Sequence, residues 1–319
     1  MILGIDTSNY TTSCALFDTQ SGKMISEKKL LPVKAGEVGL MQSQALFEHI
    51  RQLPGVLEAA FSSFCQPPAL EAVCVSAKPR NQAGSYMPVF LAGVCTAKSI
   101  AAAQHIPCFE TAHQIGHVAA ALFSIGRLDL LQKKFIAFHV SGGTTEALLV
   151  QPDEKHILRC EIVARSLDLK IGQLIDRVGV MLGLPFPAGG ELDRLSCSGK
   201  LLKKPKVTLK GADCCVSGLQ NQCEEMLKEG VLAPDIAKFV VESVYAIIRQ
   251  MTEQLRLQYG NLPFVYAGGV MRNTLVSERL SEQGGLFAKP EFSSDNAAGT
   301  ALIGSIFYQK QKERNGENG

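Results

Sequence analysis

One pattern of apolar and polar residues occurs twice in this chain, and it constrains the fold more than any other feature. The first copy covers residues 2–16 and the second covers residues 135–149. Each copy is an apolar strand, a short turn of small hydroxyl-bearing or amide residues, and a second apolar strand. Backbone N–H groups and hydroxyls at two such turns can converge on one anion. The repeat therefore favours two halves built on the same plan that clamp a phosphate, although two unrelated β-hairpins can also match by chance.

The first turn also supplies side chains that could act on a bound ligand. Asp6, Thr7 and Ser8 follow the first apolar strand directly. We take these three as candidate catalytic residues. Asp6 is the obvious candidate for the catalytic aspartate that a small-molecule kinase would need.

Bulk properties narrow the class of protein without identifying it. A chain of 319 residues is long enough for two domains, each with a buried core, and its net charge of +2 excludes neither a nucleic-acid partner nor a small molecule. Ten scattered cysteines without a C-x-x-C pair argue against a zinc ribbon and predict reduced, mostly buried thiols. No apolar run approaches the length of a membrane span, so we expect a cytoplasmic protein with no membrane partner.

Strand and helix patterns alternate along the chain. Helical spacing is predicted for residues 42–61, where Pro54 should kink or end a turn, and for residues 87–103 and 172–182. A long helix over 234–259 and a last helix over 297–311 complete the pattern, with buried strands at 72–77 and 264–267. This order predicts an α/β fold whose domain boundary falls between residues 116 and 134.

Two histidines lie at a spacing that can bind a metal. His113 and His117 are four residues apart, so on a helix both imidazoles lie on one face. Two ordinary histidines on a helix surface are the alternative. No glutamate follows His113, so the H-E-x-x-H pattern of zinc proteases is absent and a protease would lack its general base.

Four further segments offer groups that could contact a ligand, and three of them also have an ordinary structural explanation. The loop 268–273 contains two glycines and an asparagine, but a tight strand-to-helix turn would look the same. Asp176 could accept ribose hydroxyls or form a surface ion pair, and Asp295 could simply cap a helix. Glycines in the loop 187–193 would let a sugar approach closely.

Five motifs in this order resemble those of one protein family. They are His113-x-x-x-His117, residues 140–145, residues 217–219, residues 267–270 with Asn273, and residues 288–296. The family makes threonylcarbamoyladenosine in transfer RNA, was once labelled glycoprotease, and is a branch of the actin-like, sugar-kinase and heat-shock ATPase superfamily. The resemblance covers about the whole chain, and five ordered motifs argue against coincidence.

The resemblance implies a specific fold. It is a two-lobed actin-like ATPase fold, ribonuclease-H-like in each lobe, with duplicated mixed-sheet domains around a central cleft for nucleotide and metal. Residues 1–116 would form the first lobe, with the last helix, 297–319, packing back on it. Residues 117–296 would form the second.

The resemblance also assigns ligands to named residues. One Fe²⁺ or Zn²⁺ ion would be bound by His113, His117 and Asp295. His139 is a further expected ligand, because it stands where archaeal and eukaryotic relatives carry a metal-bound tyrosine and imidazole suits the same metals. ATP, AMP or an acyl-adenylate would bind to a larger set of residues: His139, Val140, Ser141, Gly142, Gly143, Thr144, Asp176, Gly189, Asp193, Gly268, Gly269 and Asn273.

The implied reaction moves a threonylcarbamoyl group from its adenylate to the adenosine beside the transfer RNA anticodon. The metal would act as a Lewis acid and AMP would leave. Exposed lysines at 133–134, 203–204 and 206 are candidates for contacting the RNA, or are merely solvated. Small proteins of a synthase complex, or a second copy of this chain, could bind through residues 42–61 or 87–103.

The chain also departs from the family pattern. Tyr10 and Thr11 replace an Asp-Glu pair, Lys78-Pro79-Arg80 replaces the usual Gly-Pro-Gly turn, and Gln173 replaces a glutamate that bacterial members often carry. We therefore read the chain as a divergent paralogue. A related carbamoyl-type transferase with another acceptor, a non-catalytic nucleotide-binding or regulatory partner, and a small-molecule kinase remain alternatives.

Overall fold

The computed structural model describes residues 1–8, 10–32, 40–293 and 296–316. The chain divides into two compact units. The first contains Met1–Gln132, Pro152–Cys160 and Ser294–Gly319, and the second contains Lys133–Gln151 and Glu161–Ser293. The division after Gln132 falls within the predicted boundary range, 116–134. Residues 117–132, which the resemblance placed in the second lobe, lie in the first unit, and the helix His113–Ser124 spans the start of that range.

The first unit is a mixed sheet with helices packed against it. Its elements are β1 (Ile2–Asp6), β2 (Thr11–Phe17), β3 (Met24–Leu30), α1 (Gln42–Ser62), β4 (Ala72–Lys78), α2 (Phe90–Gln104), β5 (Cys108–Ala112) and α3 (His113–Ser124). The strand order is β3-β2-β1-β4-β5. β1, β2 and β3 are antiparallel neighbours, whereas β4 pairs in parallel with both β1 and β5.

The second unit repeats this plan with more helix. Its elements are β6 (Phe135–Val140), β7 (Thr145–Asp153), β8 (Ile157–Arg165), α4 (Ile171–Met181), α5 (Gly189–Ser196), β9 (Thr208–Lys210), β10 (Asp213–Cys215), α6 (Ser217–Lys228), α7 (Ala233–Tyr259), β11 (Phe264–Ala267), α8 (Thr274–Ser281) and β12 (Leu286–Phe287). The large sheet has the order β8-β7-β6-β11-β12, and β9 pairs with β10 in a small separate sheet. The last helix, α9 (Ala298–Arg314), belongs to the first unit.

The predicted α/β class and the predicted duplication are confirmed by these two sheets. β6 pairs antiparallel with β7 and parallel with β11, as β1 pairs with β2 and β4. Even the register repeats: Asp6 lies opposite Ser13 in the first hairpin, and His139 lies opposite Glu146 in the second. Asp6 and His139 are therefore equivalent positions of the duplicated plan.

Helix α1 extends as predicted and buries only part of its apolar residues. It continues through Pro54, so the proline does not end it. Leu53 and Val56 are buried, whereas Phe47 and Ile50 are 59% and 56% exposed. His49 is fully buried instead, because it shares a 2.9 Å hydrogen bond with the Thr12 hydroxyl of β2.

Helix α9 packs very closely on the first unit. A Cβ added to Gly299 would lie 1.8 Å from the carbonyl oxygen of Gly116 in α3. One added to Gly4 in β1 would lie 2.5 Å from the backbone nitrogen of Ala301. Backbone thus contacts backbone on both sides of the helix, and only glycine permits such an approach. The last helix is an integral layer of the first unit.

All ten cysteines are free thiols, but their burial is more varied than predicted. Cys14, Cys74, Cys214 and Cys223 are buried, while Cys65, Cys95 and Cys197 are exposed. Among the described residues, no helix has both the length and the apolar character needed to cross a bilayer.

Candidate functional site

The histidine pair lies at the start of α3, directly after β5. His113 is the first residue of the helix and His117 lies one turn further on. Their ring centroids are 4.3 Å apart and the ring planes are 74° apart. The i, i+4 spacing therefore brings the two imidazoles together on one helix face, as the sequence predicts.

Asp6, at the end of β1, is hydrogen-bonded to His113. Its Oδ2 lies 2.8 Å from Nδ1 of His113, and its Oδ1 accepts a hydrogen bond from the backbone N–H of Ser8 at 2.9 Å. Burial alone would raise the pKa of this carboxyl, but His113 and hydrogen bonds from Ser76 and Ser8 outweigh it, and the pKa lies below its ordinary value. A carboxylate can only accept, so Nδ1 of His113 carries a proton, and in the neutral imidazole Nε2 keeps its lone pair.

The other two catalytic candidates of the first turn differ from Asp6. The Thr7 hydroxyl donates to the Val89 carbonyl at 3.0 Å and accepts from the Gly93 N–H at 3.1 Å, so it ties β1 to the start of α2. The Ser8 hydroxyl is buried and has no hydrogen-bond partner among the described residues. Of the two, only Ser8 keeps its hydrogen-bonding capacity for a ligand.

The donor chemistry of the pair suits Fe²⁺ or Zn²⁺. Two adjacent imidazoles, one of them oriented by a carboxylate through its other ring nitrogen, form the arrangement usual for metal-binding histidines. Within the described residues, no three His, Cys, Asp or Glu side chains are grouped as a complete metal site. His139 belongs to the second unit, and the predicted ligand Asp295 lies outside the described residues.

The second unit contains a cavity of about 440 Å³. It opens where β6 and β11, two parallel neighbours, end, and it is walled by α4, α5 and α7. Ligands of α/β proteins bind at this end of a sheet. Six residues predicted to bind nucleotide line it: Gly142, Asp176, Gly189, Asp193, Gly269 and Asn273. The fold thus brings together residues from four separate segments.

The Ser-Gly-Gly turn after β6 forms one side of the cavity and packs on α4. Its backbone is closed by a hydrogen bond from the Ser141 N–H to the Thr144 carbonyl at 2.7 Å. A Cβ added to Gly172, in the first turn of α4, would lie 2.4 Å from the Ser141 carbonyl oxygen and 2.5 Å from the Gly142 nitrogen. The start of α4 can approach the turn only because residue 172 is glycine.

Asp176 lines the cavity from α4 and retains acceptor capacity. Its Oδ1 accepts a hydrogen bond from the Ala188 N–H at 2.9 Å. Burial raises the pKa of this carboxyl above its ordinary value, although the Ala188 N–H opposes the shift. The second oxygen is available for ligand hydroxyls.

Asp193 and Asn273 form a clasp that holds the Gly-Gly loop to α5. Nδ2 of Asn273 donates to Oδ1 of Asp193 at 2.7 Å, and the Thr274 N–H and hydroxyl each donate to Oδ2 at 3.2 Å. Oδ1 of Asn273 accepts from the Val276 N–H and caps α8. Both side chains therefore shape the cavity through each other as well as facing into it.

The remaining predicted residues lie near the cavity without lining it. They are Val140, buried at the end of β6; Gly268, packed against the Val140 carbonyl; half-buried His139; and Ser141, Gly143 and Thr144 in the turn. Pro187, Gly190 and Arg272 also line the cavity and lie in the two loops that the sequence analysis named. Sequence reasoning missed Gly172 and three valines of α7, Val240, Val241 and Val244, because a helix glycine and an apolar helix face carry no ligand signal.

Solved structures share this architecture. HypF from T. kodakarensis matches with a TM-score of 0.62 at 14% identity, over 97% of this chain and 47% of that one. A ROK family glucokinase from Streptomyces griseus, in complex with glucose and AMPPNP, matches with a TM-score of 0.51 at 12% identity, over 96% and 99%. At such identities the likeness shows the fold alone, and that fold is the actin-like ATPase fold.

Sequence similarity gives the family. The tRNA N6-adenosine threonylcarbamoyltransferase of Methanopyrus kandleri is 26% identical over 303 residues, which are 91% of this chain and 83% of the relative. A family model described as TsaD, tRNA N6-adenosine threonylcarbamoyltransferase, matches residues 24–302. That range contains the histidine pair and every lining residue of the cavity. The chain belongs to the TsaD family, whose relatives are named for threonylcarbamoyladenosine biosynthesis in transfer RNA.

Proposed function

We propose that this chain transfers a threonylcarbamoyl group from threonylcarbamoyl-adenylate to N6 of the adenosine beside the transfer RNA anticodon. In this reaction the amine nitrogen forms a bond to the carbamoyl carbonyl carbon, the bond from that carbon to the phosphate oxygen breaks, and AMP leaves while the amine loses a proton to solvent. The observation that carries the proposal is the cavity of the second unit, where the family's nucleotide motifs meet.

The lining of the cavity suits an adenylate. Asp176 keeps a carboxylate oxygen that can accept ribose hydroxyls. Apolar side chains of α4, α5 and α7, Ile175, Leu192 and Val244, can cover a purine ring. Backbone at Gly142 and Gly269 is exposed and can approach a phosphate or acyl group closely.

The metal donors would be His113 and His117, with Asp295 and His139 as further ligands. An Fe²⁺ or Zn²⁺ ion bound there would supply Lewis acidity to a carbonyl oxygen. The chain's own contribution is orientation, because Asp6 fixes the ring of His113. The same bond argues against a kinase, since the buried Asp6 carboxylate is committed to His113 and Ser8.

Transfer RNA and partner proteins are part of the proposal. Lys203, Lys204 and Lys206 are exposed and can contact phosphates, which would make RNA binding weaken as salt rises. Phe47 and Ile50 on α1 and Leu91 on α2 are large apolar side chains that remain exposed. They support binding of a small synthase-complex protein, or of a second copy, through these helices.

The test is direct transfer with purified components. The chain is loaded with Fe²⁺ or Zn²⁺, mixed with threonylcarbamoyl-adenylate, unmodified transfer RNA and candidate partner proteins, and the nucleosides are analysed by mass spectrometry. We expect threonylcarbamoyladenosine to form, and His113→Ala to abolish it. His105→Asn is the matched control, since this exposed histidine caps α2 in a left-handed conformation that asparagine accepts.

Two results would reject the assignment in different ways. Adenylate binding and metal binding without transfer would point to another acceptor or to a regulatory paralogue. Absence of both would leave only a scaffold.

A further inference from the structure

Glu146 is a buried carboxylate beside a candidate ligand. It lies in β7, only 7% exposed, directly opposite His139 of β6 in the antiparallel register. Side chains at such positions project to the same face of the sheet, with Cβ atoms about 4.5–5.5 Å apart. An imidazole and a carboxylate at that separation are within hydrogen-bonding reach.

A carboxylate this deeply buried needs a partner. Removing an ionised group from water costs several kcal/mol of free energy unless a charge or a hydrogen-bond donor compensates. Both side chains are engaged in interactions in the structure. The strand register places His139, whose ring N–H can donate, directly opposite Glu146.

The first unit contains a hydrogen bond between a buried carboxylate and an imidazole at the equivalent place. Asp6 occupies the position equivalent to His139, at the same point of the duplicated hairpin, and there the carboxylate orients an imidazole, His113. In the second unit the two roles are exchanged: the strand end carries the imidazole, and the opposite strand carries the acid where the first unit has Ser13. Each unit thus contains one candidate histidine ligand and one buried carboxylate in the same region of its plan.

We propose that Glu146 is a positioning residue for His139: it accepts one ring N–H and holds the imidazole in a single tautomer and orientation, with the other nitrogen available as a ligand. The inference that Glu146 fixes the tautomer of His139 depends only on the strand register and on the burial of Glu146. The inference that His139 is a metal ligand rests on the proposed function. Carboxylates that orient ligating histidines in this way typically change metal affinity about 10–100-fold when removed.

The tautomer is tested on the full chain, metal-free and labelled with ¹⁵N-histidine. Two-bond ¹H–¹⁵N spectra report which ring nitrogen carries the proton, and His139→Asn identifies the His139 signals. Glu146→Leu removes the acceptor, Glu146→Gln keeps a neutral acceptor, and Glu242→Gln is a control at another buried acid of the second unit, paired with Arg279. Thermal unfolding verifies that each variant is folded.

We expect one tautomer of His139 in the parent chain and in Glu242→Gln, a mixture in Glu146→Leu, and a single tautomer with shifted ¹⁵N signals in Glu146→Gln. Unchanged His139 signals in a folded Glu146 variant would overturn the proposal. If the leucine variant fails to fold, the glutamine variant decides, because replacing a charged acceptor by a neutral one must still move the signals.

Competition with a chromogenic chelator then measures Zn²⁺ binding to the same proteins. We expect the dissociation constant of Glu146→Leu to rise about 10–100-fold, with partial rescue in Glu146→Gln. A change of tautomer without a change of affinity would uphold the positioning role of Glu146 and would remove His139 from the metal site of the proposed function.

Discussion

Nδ1 of His113 donates a hydrogen bond to Oδ2 of Asp6 at 2.8 Å, across 107 positions of sequence. This bond joins the end of the first strand to the start of α3, so the first histidine of the helix is oriented by a buried carboxylate. Asp6, a candidate catalytic residue in the sequence analysis, thus makes a contact that orients His113.

Replacing Asp6 by asparagine should weaken metal binding. Asparagine removes the charge and leaves the orientation of His113 less fixed, so Zn²⁺ affinity should fall about 10–100-fold. Chelator competition measures the loss. Asp18→Asn, at a half-buried aspartate of the same unit that follows β2, should bind Zn²⁺ as the parent does. Equal affinities for the parent and Asp6→Asn would contradict the orienting role.

Breaking the clasp of the cavity should weaken adenylate binding. Asp193→Ala removes the three hydrogen bonds from Asn273 and Thr274. The Gly-Gly loop would then lose its fixed position, and titration calorimetry with AMP should show affinity reduced about tenfold, the equivalent of 1.4 kcal/mol. Glu191→Gln, on the same helix α5 but in an ion pair with Arg194, is the control. Unchanged AMP binding by Asp193→Ala would show that the clasp plays no part.

Gly172→Ala should destabilise the second unit. The new methyl would meet backbone atoms of Ser141 and Gly142, which cannot move as a flexible side chain can. Such overpacking costs about 1–3 kcal/mol in the free energy of unfolding. Gly218→Ala, in the first turn of α6 with open space around it, should be neutral or stabilising. Urea denaturation compares the two, and equal stability of Gly172→Ala and the parent would refute the close approach.

Asp168 should make stability depend on pH in the acid range. Its carboxylate accepts hydrogen bonds from the N–H groups of Val216 and Ser217, where α6 begins, and from the Ser217 hydroxyl. Burial would raise the pKa of Asp168, but these bonds lower it from the ordinary 3.8 to about 2. The unfolded chain therefore binds this proton more readily, so the contribution is complete above pH about 4 and is lost as pH falls through about 2.

Urea denaturation at several pH values measures this contribution. Asp168→Ala should lose about 1 kcal/mol at pH 7, as for a helix cap, and the difference from the parent should shrink toward pH 2. Glu282→Gln, at an exposed acid after α8, serves as the comparison. A difference for Asp168→Ala that stays constant with pH would exclude the carboxylate as its source.

Thiol reactivity should separate the cysteines by burial. Cys65, Cys95 and Cys197 are exposed and should react with a disulfide reagent in the folded protein. Burial raises the pKa of Cys14 and of Cys223 to about 12, so these thiols should react only after unfolding. Absorbance of the released thiolate counts the reacted groups. Rapid reaction of Cys14 or Cys223 in the native state would contradict the packing.

The duplicated plan was predictable because both turns interrupt apolar strands in the same register. The helix pair His113–His117 was predictable for a similar reason, since helix geometry alone brings residues four apart together. Asp193 and Asn273 are 80 residues apart, and no spacing rule connects them. The burial of His49 in α1 was not predictable either. It accompanies a hydrogen bond to Thr12, and hydrophobic periodicity does not detect such a polar contact.

The close packing of α9 on β1 and α3 has a consequence for folding during translation. The second unit is translated completely before residue 294, whereas the first must wait for the final helix to leave the exit tunnel. Until then, the glycine-lined groove that receives α9 is open, and its apolar floor is exposed to water and to chaperones. The unit whose synthesis starts first therefore cannot complete its packing until α9 has been translated.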